Sequence, residues 1–431
     1  MNQMNKKKIT LILVRKLFIR SYLQSGIVDR LSKEFDLTIV CTDDLVSYFD
    51  KYNITLKISQ DYLYRRYLHQ LLFDLHLFKY RNLSVSFDFR IDRLFRNYKP
   101  QENFKNAIKK FRNFIYSNYI LQDILIYFIK TFLNFEFLID KNLKNKESNI
   151  ILLPSSAYDS VIMDAIIVNK KLASKSFLLI DNWDNLSSKS IFWKQPDFVS
   201  VWGPQSAEHA SNIQKFRDAK ILELGCPRFD IYSSDTFDIF PRNNYVLFLG
   251  TTVYFREEEV LRVISKFINN EYESLNCQNL IIYRPHPARL GPTDISNLPG
   301  NVVVDSGVPL NSGEFPSLSD YPNLIRNAKF CIGGYTSMLI ETVINNKKYF
   351  ALRHAEGHLT SPDVVAERYE HFKGVDNMKN VYPIYDLEEL NITVKRGLTE
   401  PTNSVADYDY ILNFSKEKTF CERLIDTLHE I

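Results

Sequence analysis

A chain of 431 residues that is 45% hydrophobic and 24% charged has the composition of a globular protein and room for two domains of ordinary size. Its formal net charge of +3 is too small to argue by itself for a nucleic-acid partner. No apolar run reaches the ~18 uncharged residues of a membrane-spanning helix; the best candidate, ILIYFIKTFLNFEFLI, is broken by Lys130 and Glu136.

The chain opens on a basic start and a short apolar run, MNQMNKKKITLILV, followed at once by RKLFIR. The run is too short for a signal peptide and reads as a first buried strand. IRSYLQSGIVDRLSKEF has helical spacing at Leu23, Ile27 and Leu31, and DLTIVCT is a second strand. Strand, helix, strand is the usual start of a parallel doubly wound sheet.

Residues 61–120 hold twelve Lys/Arg against five Asp/Glu, together with fifteen aromatic residues. Two or three amphipathic helices, inserted over about 60–140, are expected here. Their basic side is either a solvated face or a surface for an anionic membrane or a lipid-phosphate acceptor. Alternation then returns. NIILLP, SKSFLLI, DFVSVWG and AKILELG read as strands. The polar stretch around 233–244 is the expected boundary between an N-terminal domain, 1–236, and a C-terminal one, 237–405. In the second half YVLFLG, NLIIYRPHP, NVVVDS, KFCIGG and KKYFALR are strands with helices between them, and 406–431 is a closing helix. The expected fold is therefore two doubly wound domains facing across a cleft, with ligand outside the carboxyl ends of the strands.

Both Arg284 and His286 precede prolines in YRPHP, which pushes each towards extended backbone. Residues two apart then point the same way, so a guanidinium and an imidazole are aimed together, as a phosphate grip requires. In CIGGYTSMLIE a strand ends at Gly333-Gly334 and a helix starts near Thr336-Ser337, an arrangement that admits an anion. Tyr335 lies in this turn, and Glu341, one helical turn on, is placed either to accept from ribose hydroxyls or simply to complement the positive end of the helix dipole. Gly250, Thr251 and Thr252 form a weaker candidate for a phosphate or base contact. In the first half the polar strand ends PSSAYDS and DNWDN offer Asp159, Asp181 and Asp184 as base or nucleophile. Ser155, Ser156, a sugar-stacking Trp183 and Arg20 are the expected substrate contacts. For each carboxylate taken singly, a turn or cap role is the first expectation.

No metal is expected: His354 and His358 are spaced i,i+4, but Gly357 intervenes and a third ligand is lacking. No cofactor motif is present; Walker A, GxGxxG and GxSxG are all missing. Cys41, Cys226, Cys277, Cys331 and Cys421 include no CxxC pair and read as reduced, mostly buried thiols of a cytoplasmic protein.

RPHP followed about fifty residues later by GGYTSMLIE resembles the HP and S-S/T motifs of bacterial GT-B glycosyltransferases of the sialyltransferase, polysialyltransferase and Kdo-transferase families. It is also similar to the CDP-glycerol glycerophosphotransferases. The WDNLSSK and GCPRFD stretches look like those of surface-polysaccharide biosynthesis proteins. The resemblance implies a GT-B fold and a cytidine-nucleotide donor whose phosphate is held by His286, Thr336 and Ser337, with Arg284 as neighbour. It implies a transferase of capsule or lipopolysaccharide assembly that moves a sugar, such as a 2-keto sugar acid, from a CMP-linked donor to a glycan or lipid-linked acceptor. Such an enzyme would be cytoplasmic and peripheral on the inner membrane face. A polyol-phosphate transferase using a CDP donor and a non-catalytic GT-B partner in an assembly complex are the alternatives. The acidic Asp/Glu-Asp/Glu-Gly motif of the sialyltransferase families is absent, which leaves the base and the stereochemistry open.

Overall fold

The computed structural model describes residues 6–431 except 53, 58–62, 97–113, 117, 134–147, 171–173, 234–241, 253–254, 288–296, 310–313 and 402–407. The chain divides into two compact units. The first comprises residues 1–226, 369–371 and 423–431, and the second residues 227–368 and 372–422. The division at Cys226/Pro227 precedes the expected boundary at 236/237, and the closing segment is shared between the units.

The sheet of the first unit is parallel throughout. Its strands are β1 (Lys8–Leu13), β2 (Asp36–Cys41), β3 (Ile54–Lys57), β4 (Ile150–Ser155), β5 (Lys175–Ile180), β6 (Phe198–Ser200) and β7 (Lys220–Leu222). They lie in the order β3-β2-β1-β4-β5-β6-β7, so the winding direction reverses between β1 and β4. β4 is buried at every position, as a parallel strand covered on both faces should be. The helix expected after β1 is in two pieces. Ile19–Gln24 form a wide π-helical stretch, Gly26 takes a left-handed φ of 79°, and α1 (Ile27–Glu34) follows.

The basic-aromatic insertion folds as helices α2 (Leu63–Lys79), α3 (Val85–Arg96) and α4 (Tyr119–Leu133). Its apolar residues pack in two clusters. Leu72 and Leu75 of α2 meet Ile126, Ile129 and Leu133 of α4. Phe73 and Leu77 meet Phe87 and Ile91 of α3. One of its cations is wholly internal. Arg65 donates to both carboxylate oxygens of Asp164, at 2.8 and 2.7 Å, and to the Leu133 carbonyl at 2.7 Å. His69 bonds Asp164 at 2.8 Å and the Tyr158 hydroxyl at 2.8 Å. Asp164 belongs to α5 (Ser160–Asn169), and α6 (Pro204–Asn212) follows β6.

The second unit starts afresh with β8 (Tyr245–Leu249), α7 (Glu257–Glu271), β9 (Ile281–Arg284), β10 (Val302–Val304), α8 (Asp320–Asn327), β11 (Ala328–Gly333), α9 (Met338–Ile344), β12 (Tyr349–Leu352), α10 (Pro362–Arg368), β13 (Val381–Ile384) and α11 (Leu390–Thr399). Strand order is β10-β9-β8-β11-β12-β13, again all parallel, with the reversal between β8 and β11. The core holds Val246 and Phe248 of β8, Ile281 and Tyr283 of β9, and Phe330 and Ile332 of β11, against Val260, Leu261 and Ile264 of α7. β3 and β13 are not among the expected strands; β13 is an edge strand paired in register with β12, Ala351 opposite Pro383, the place in a sheet that tolerates a proline.

The closing helix is α12 (Phe420–Glu430), which starts well after residue 406. All five cysteines are free and four are buried, Cys277 being half-buried. No helix among the described residues is long and apolar enough to cross a membrane.

Candidate active site

Three neighbouring strands of the second sheet, β9, β8 and β11, deliver the motif residues at their carboxyl ends. With strands ~4.8 Å apart, the ends of β9 and β11 lie about 10 Å from each other. Glycines set the closeness. A Cβ on Gly250 would stand 3.1 Å from the Pro285 Cα and the His286 nitrogen, and one on Gly334 would stand 2.6 Å from the Thr251 methyl. A Cβ on Gly333 would meet the Leu249 carbonyl at 2.3 Å. The space read from the sequence as room for a ligand beside these glycines is therefore filled by protein. It is the neighbouring strand that excludes a side chain there.

His286 follows the buried Pro285 and is half-buried, as are Thr252, Thr336 and Ser337. Thr336 Oγ1 accepts from the Met338 amide at 3.2 Å and so caps α9. The Ser337 hydroxyl has no hydrogen-bond partner among the described residues. These four side chains are the part of the expected donor site that the structure gathers at one end of the sheet.

The remaining donor-site candidates are engaged elsewhere. Arg284 is 3% exposed, lies 3.3 Å from Asp305 and 3.9 Å from Asp320, and sits over the Tyr321 ring at 5.1 Å. Its buried guanidinium is engaged by these two half-buried carboxylates. Glu341 is buried, accepts from the Tyr232 hydroxyl and lies 3.9 Å from Arg228. Both partners come from the Pro227–Ser233 turn, so the ribose-binding expectation gives way to an internal clamp. The Tyr335 hydroxyl bonds Asp376, and its ring meets Phe372 edge-on at 5.4 Å. Thr251 is buried, and its amide donates to Glu257 at 2.9 Å.

Glu257 is the main residue the sequence reading missed. Fully buried at the start of α7, it also accepts from the Tyr283 hydroxyl at 2.5 Å and ties β8 to β9. The signal was the Glu257-Glu258-Glu259 run, which reads as dipole complement without saying which carboxylate turns inward. A second missed group lies past the end of β12, the strand next to β11. Glu356 bridges His354 at 3.2 Å and His358 at 2.7 Å, and accepts from the Arg256 amide at 3.1 Å. Burial opposes ionisation of Glu356, but these donors outweigh it and hold its carboxyl below the usual range. Among the described residues no three His, Cys, Asp or Glu side chains are grouped to hold a metal ion.

In the first unit the three candidate carboxylates separate by environment. Asp159 caps α5, accepting from the Val161 amide at 2.9 Å, and pairs with Arg15 at 3.2 Å. Asp181 is 1% exposed and accepts from the Ser21 hydroxyl at 3.2 Å. Asp184 keeps 20% of its side chain exposed and pairs with Lys189 at 2.9 Å. Burial would raise its pKa, yet Lys189 and His371 outweigh that and hold it ionised.

The expected substrate contacts are core residues. Trp183 is 3% exposed, donates to Gln205 at 2.7 Å and stacks on Trp202, which leaves no face for a sugar. Ser155 and Ser156 are buried, serving Asn185 and Asn182 respectively. Arg20 is buried within the turn after β1.

No protein-family model matches the chain, and no curated protein matches it in sequence. Solved structures do match in fold. The UDP-GlcNAc 2-epimerase from Methanocaldococcus jannaschii is 13% identical over 98% of this chain and 100% of its own, with a TM-score of 0.55. Another UDP-N-acetylglucosamine 2-epimerase gives 13% identity over 99% and 96%, with a TM-score of 0.55. The glycotransferase of kitacinnamycin gives 8% identity over 99% of both chains, with a TM-score of 0.50. The chain therefore has the GT-B fold, two Rossmann-like units in tandem.

Proposed function

We propose that the chain is a GT-B glycosyltransferase that moves a sugar from a nucleotide-activated donor to a glycan or glycolipid acceptor, with the second unit holding the donor. The observation that carries this reading is the gathering of Thr252, His286, Thr336 and Ser337 at the ends of β8, β9 and β11. That is where strand order reverses, and doubly wound sheets take ligands at such a point. In the transfer, the bond from the anomeric carbon to the donor phosphate breaks and its electron pair passes to the phosphate oxygen. An imidazole N–H from His286 and the hydroxyls of Thr336 and Ser337 donate to that oxygen as charge develops. The acceptor hydroxyl forms the new bond and gives its proton to a carboxylate. We favour Asp184, which Lys189 and His371 hold ionised and which keeps 20% of its side chain exposed. The reading uses no divalent cation.

The donor we favour is a CMP-linked 2-keto sugar acid, on the strength of the RPHP and GGYTS motifs, and the setting is surface-polysaccharide assembly. The likeness to two structures named as UDP-GlcNAc 2-epimerases favours a second reading, chemistry on a UDP-sugar without an acceptor. Titration with CMP, CDP and UDP, followed by thermal unfolding, separates the two. A nucleotide at 100 times its Kd adds ~2.7 kcal/mol, or roughly 5–10 °C for a unit of this size. A cytidine nucleotide should give the largest rise. A response to UDP alone removes the cytidine donor, after which turnover of a UDP-sugar without an acceptor would select the second reading, and no response to any nucleotide removes the donor site.

The acceptor is proposed to be lipid-linked. α4 buries Ile126, Ile129 and Leu133 on one side while Ile120 and Tyr127 are 72% and 69% exposed on the other, beside the exposed Ile124 and Phe128. A helix with apolar residues both buried and exposed calls for a second apolar medium; Lys79 is paired with Asp123, which leaves Lys130 to suit anionic headgroups. The protein should sediment with phosphatidylglycerol-containing vesicles and not with phosphatidylcholine alone. Ile124→Ser with Phe128→Ser should abolish this; undiminished pelleting of that variant would count against the membrane face.

A further inference from the structure

The first unit contains a concave basic site that shares only Lys189, the partner of Asp184, with the residues discussed above. A cavity of about 300 Å³ is lined by Ser86, Phe89, Arg90, Arg93, Ser188, Lys189 and Tyr369. α3 supplies the first four, spaced so that residues 86, 89, 90 and 93 share one helix face. The turn Asn185–Lys189 after β5 supplies the next two, and Tyr369 comes from the short segment that returns to this unit.

The two arginines of this cavity are held firmly but not neutralised. Arg90 donates to the Ser188 carbonyl at 3.2 Å and lies over the Phe73 ring at 4.7 Å. Arg93 donates to the Tyr369 hydroxyl at 3.2 Å and lies 5.9 Å from the Phe89 ring centre. Both acceptors are uncharged. Neither guanidinium pairs with a carboxylate among the described residues, and only Lys189 does, with Asp184. Burial weakens the hold of Arg90 on its proton, and Arg93 adds to this. Asp74, Tyr369 and Asp184 only partly offset it. A desolvated guanidinium beside a second one gains most from an arriving anion.

We propose that this cavity binds an oxyanion, a carboxylate or a phosphate, carried on a sugar-sized polar body. The two guanidinium forks suit the planar or tetrahedral oxygens. The half-buried Tyr369, with its ring and hydroxyl at the cavity wall, suits the sugar. A volume of about 300 Å³ is at the low end of ligand pockets, matching one sugar residue and not a nucleotide sugar. The binding site is independent of the donor reading. Its assignment to an acidic group on the acceptor rests on that reading.

The test is titration of the full chain with glucuronate, glucose 1-phosphate, inorganic phosphate and glucose, read by saturation-transfer NMR. At least one charged sugar should bind at least tenfold more tightly than glucose. Arg93→Gln, and separately Lys189→Gln, should weaken it about tenfold with unchanged circular dichroism, and the relative strength of glucuronate and the sugar phosphate identifies the anion. His286→Ala should leave this binding intact. If nucleotides fail to bind while a charged sugar does, the donor reading falls and the pocket stands. Equal binding of glucose and the charged sugars, inorganic phosphate competing as well as the sugar phosphate, no binding, or indifference to both substitutions would each overturn the proposal.

Discussion

Asp164→Ala should destabilise the first unit by about 3–5 kcal/mol, the range for breaking a buried ion pair from one side. The carboxylate is the common acceptor for Arg65 and His69, and all three side chains are within 5% of full burial. Its removal takes the charged partner from a buried guanidinium that also donates to the Leu133 carbonyl. The same link fixes α2 to α5, so the loss should also loosen the helical layer. All three tryptophans, Trp183, Trp193 and Trp202, belong to this unit; urea unfolding followed by their fluorescence reports on it directly. Acid should mimic the substitution. Burial alone would raise the Asp164 pKa, but Arg65 and His69 outweigh burial and hold it below its ordinary 3.8. A carboxyl with a depressed folded-state pKa adds stability above its unfolded value and loses it as pH falls through the folded one. The wild-type unit should therefore weaken on acidification below about pH 4, and the variant should lack that component. A variant within about 1 kcal/mol of wild type would show that the network is not what docks the helices.

His286→Ala should lower the rate of glycosyl transfer ~10²–10³-fold, the usual cost of removing one preorganised donor from a developing oxyanion. The loss should fall mainly on kcat, because the donation is strongest once the phosphate oxygen has taken up charge. Thermal stability should hardly change, since a half-buried loop side chain contributes little packing. His286→Asn keeps an N–H on a shorter arm and should recover part of the rate. Full activity in the alanine variant would remove the imidazole from the chemistry, and a matching fall in Tm would assign it a structural role.

Continuous apolar strands alternating with amphipathic helices made both sheets legible, and the punctuation at Gly333-Gly334 and Pro285-Pro287 marked the strand ends correctly. The side-chain roles were far less legible. Arg284 and Glu341 have the right chemistry for a nucleotide, but sequence cannot show that Asp305 and Asp320, or Arg228 and Tyr232, fold in beside them. A charge near a ligand and a charge inside an ion pair share one letter code. The Asp159, Asp181 and Asp184 ambiguity has the same origin: a cap, a buried acceptor and a partly exposed carboxylate differ only in their surroundings. The basic insertion was read as either a solvated or a lipid-facing surface. The structure gives its charges several destinations at once, with Arg65 internal and Arg90 and Arg93 around a cavity.

Pro383 also bears on how copies of this chain behave together. The carbonyls of Asn380 and Ile384 accept from Tyr349 and Arg353, so the alternation of a strand turns the Pro383 nitrogen to the outer rim. An open rim ordinarily recruits a strand from another molecule. Here the rim is four residues long and has no hydrogen to offer at its third position. This border of the sheet is thereby made a poor seed for edge-to-edge aggregation.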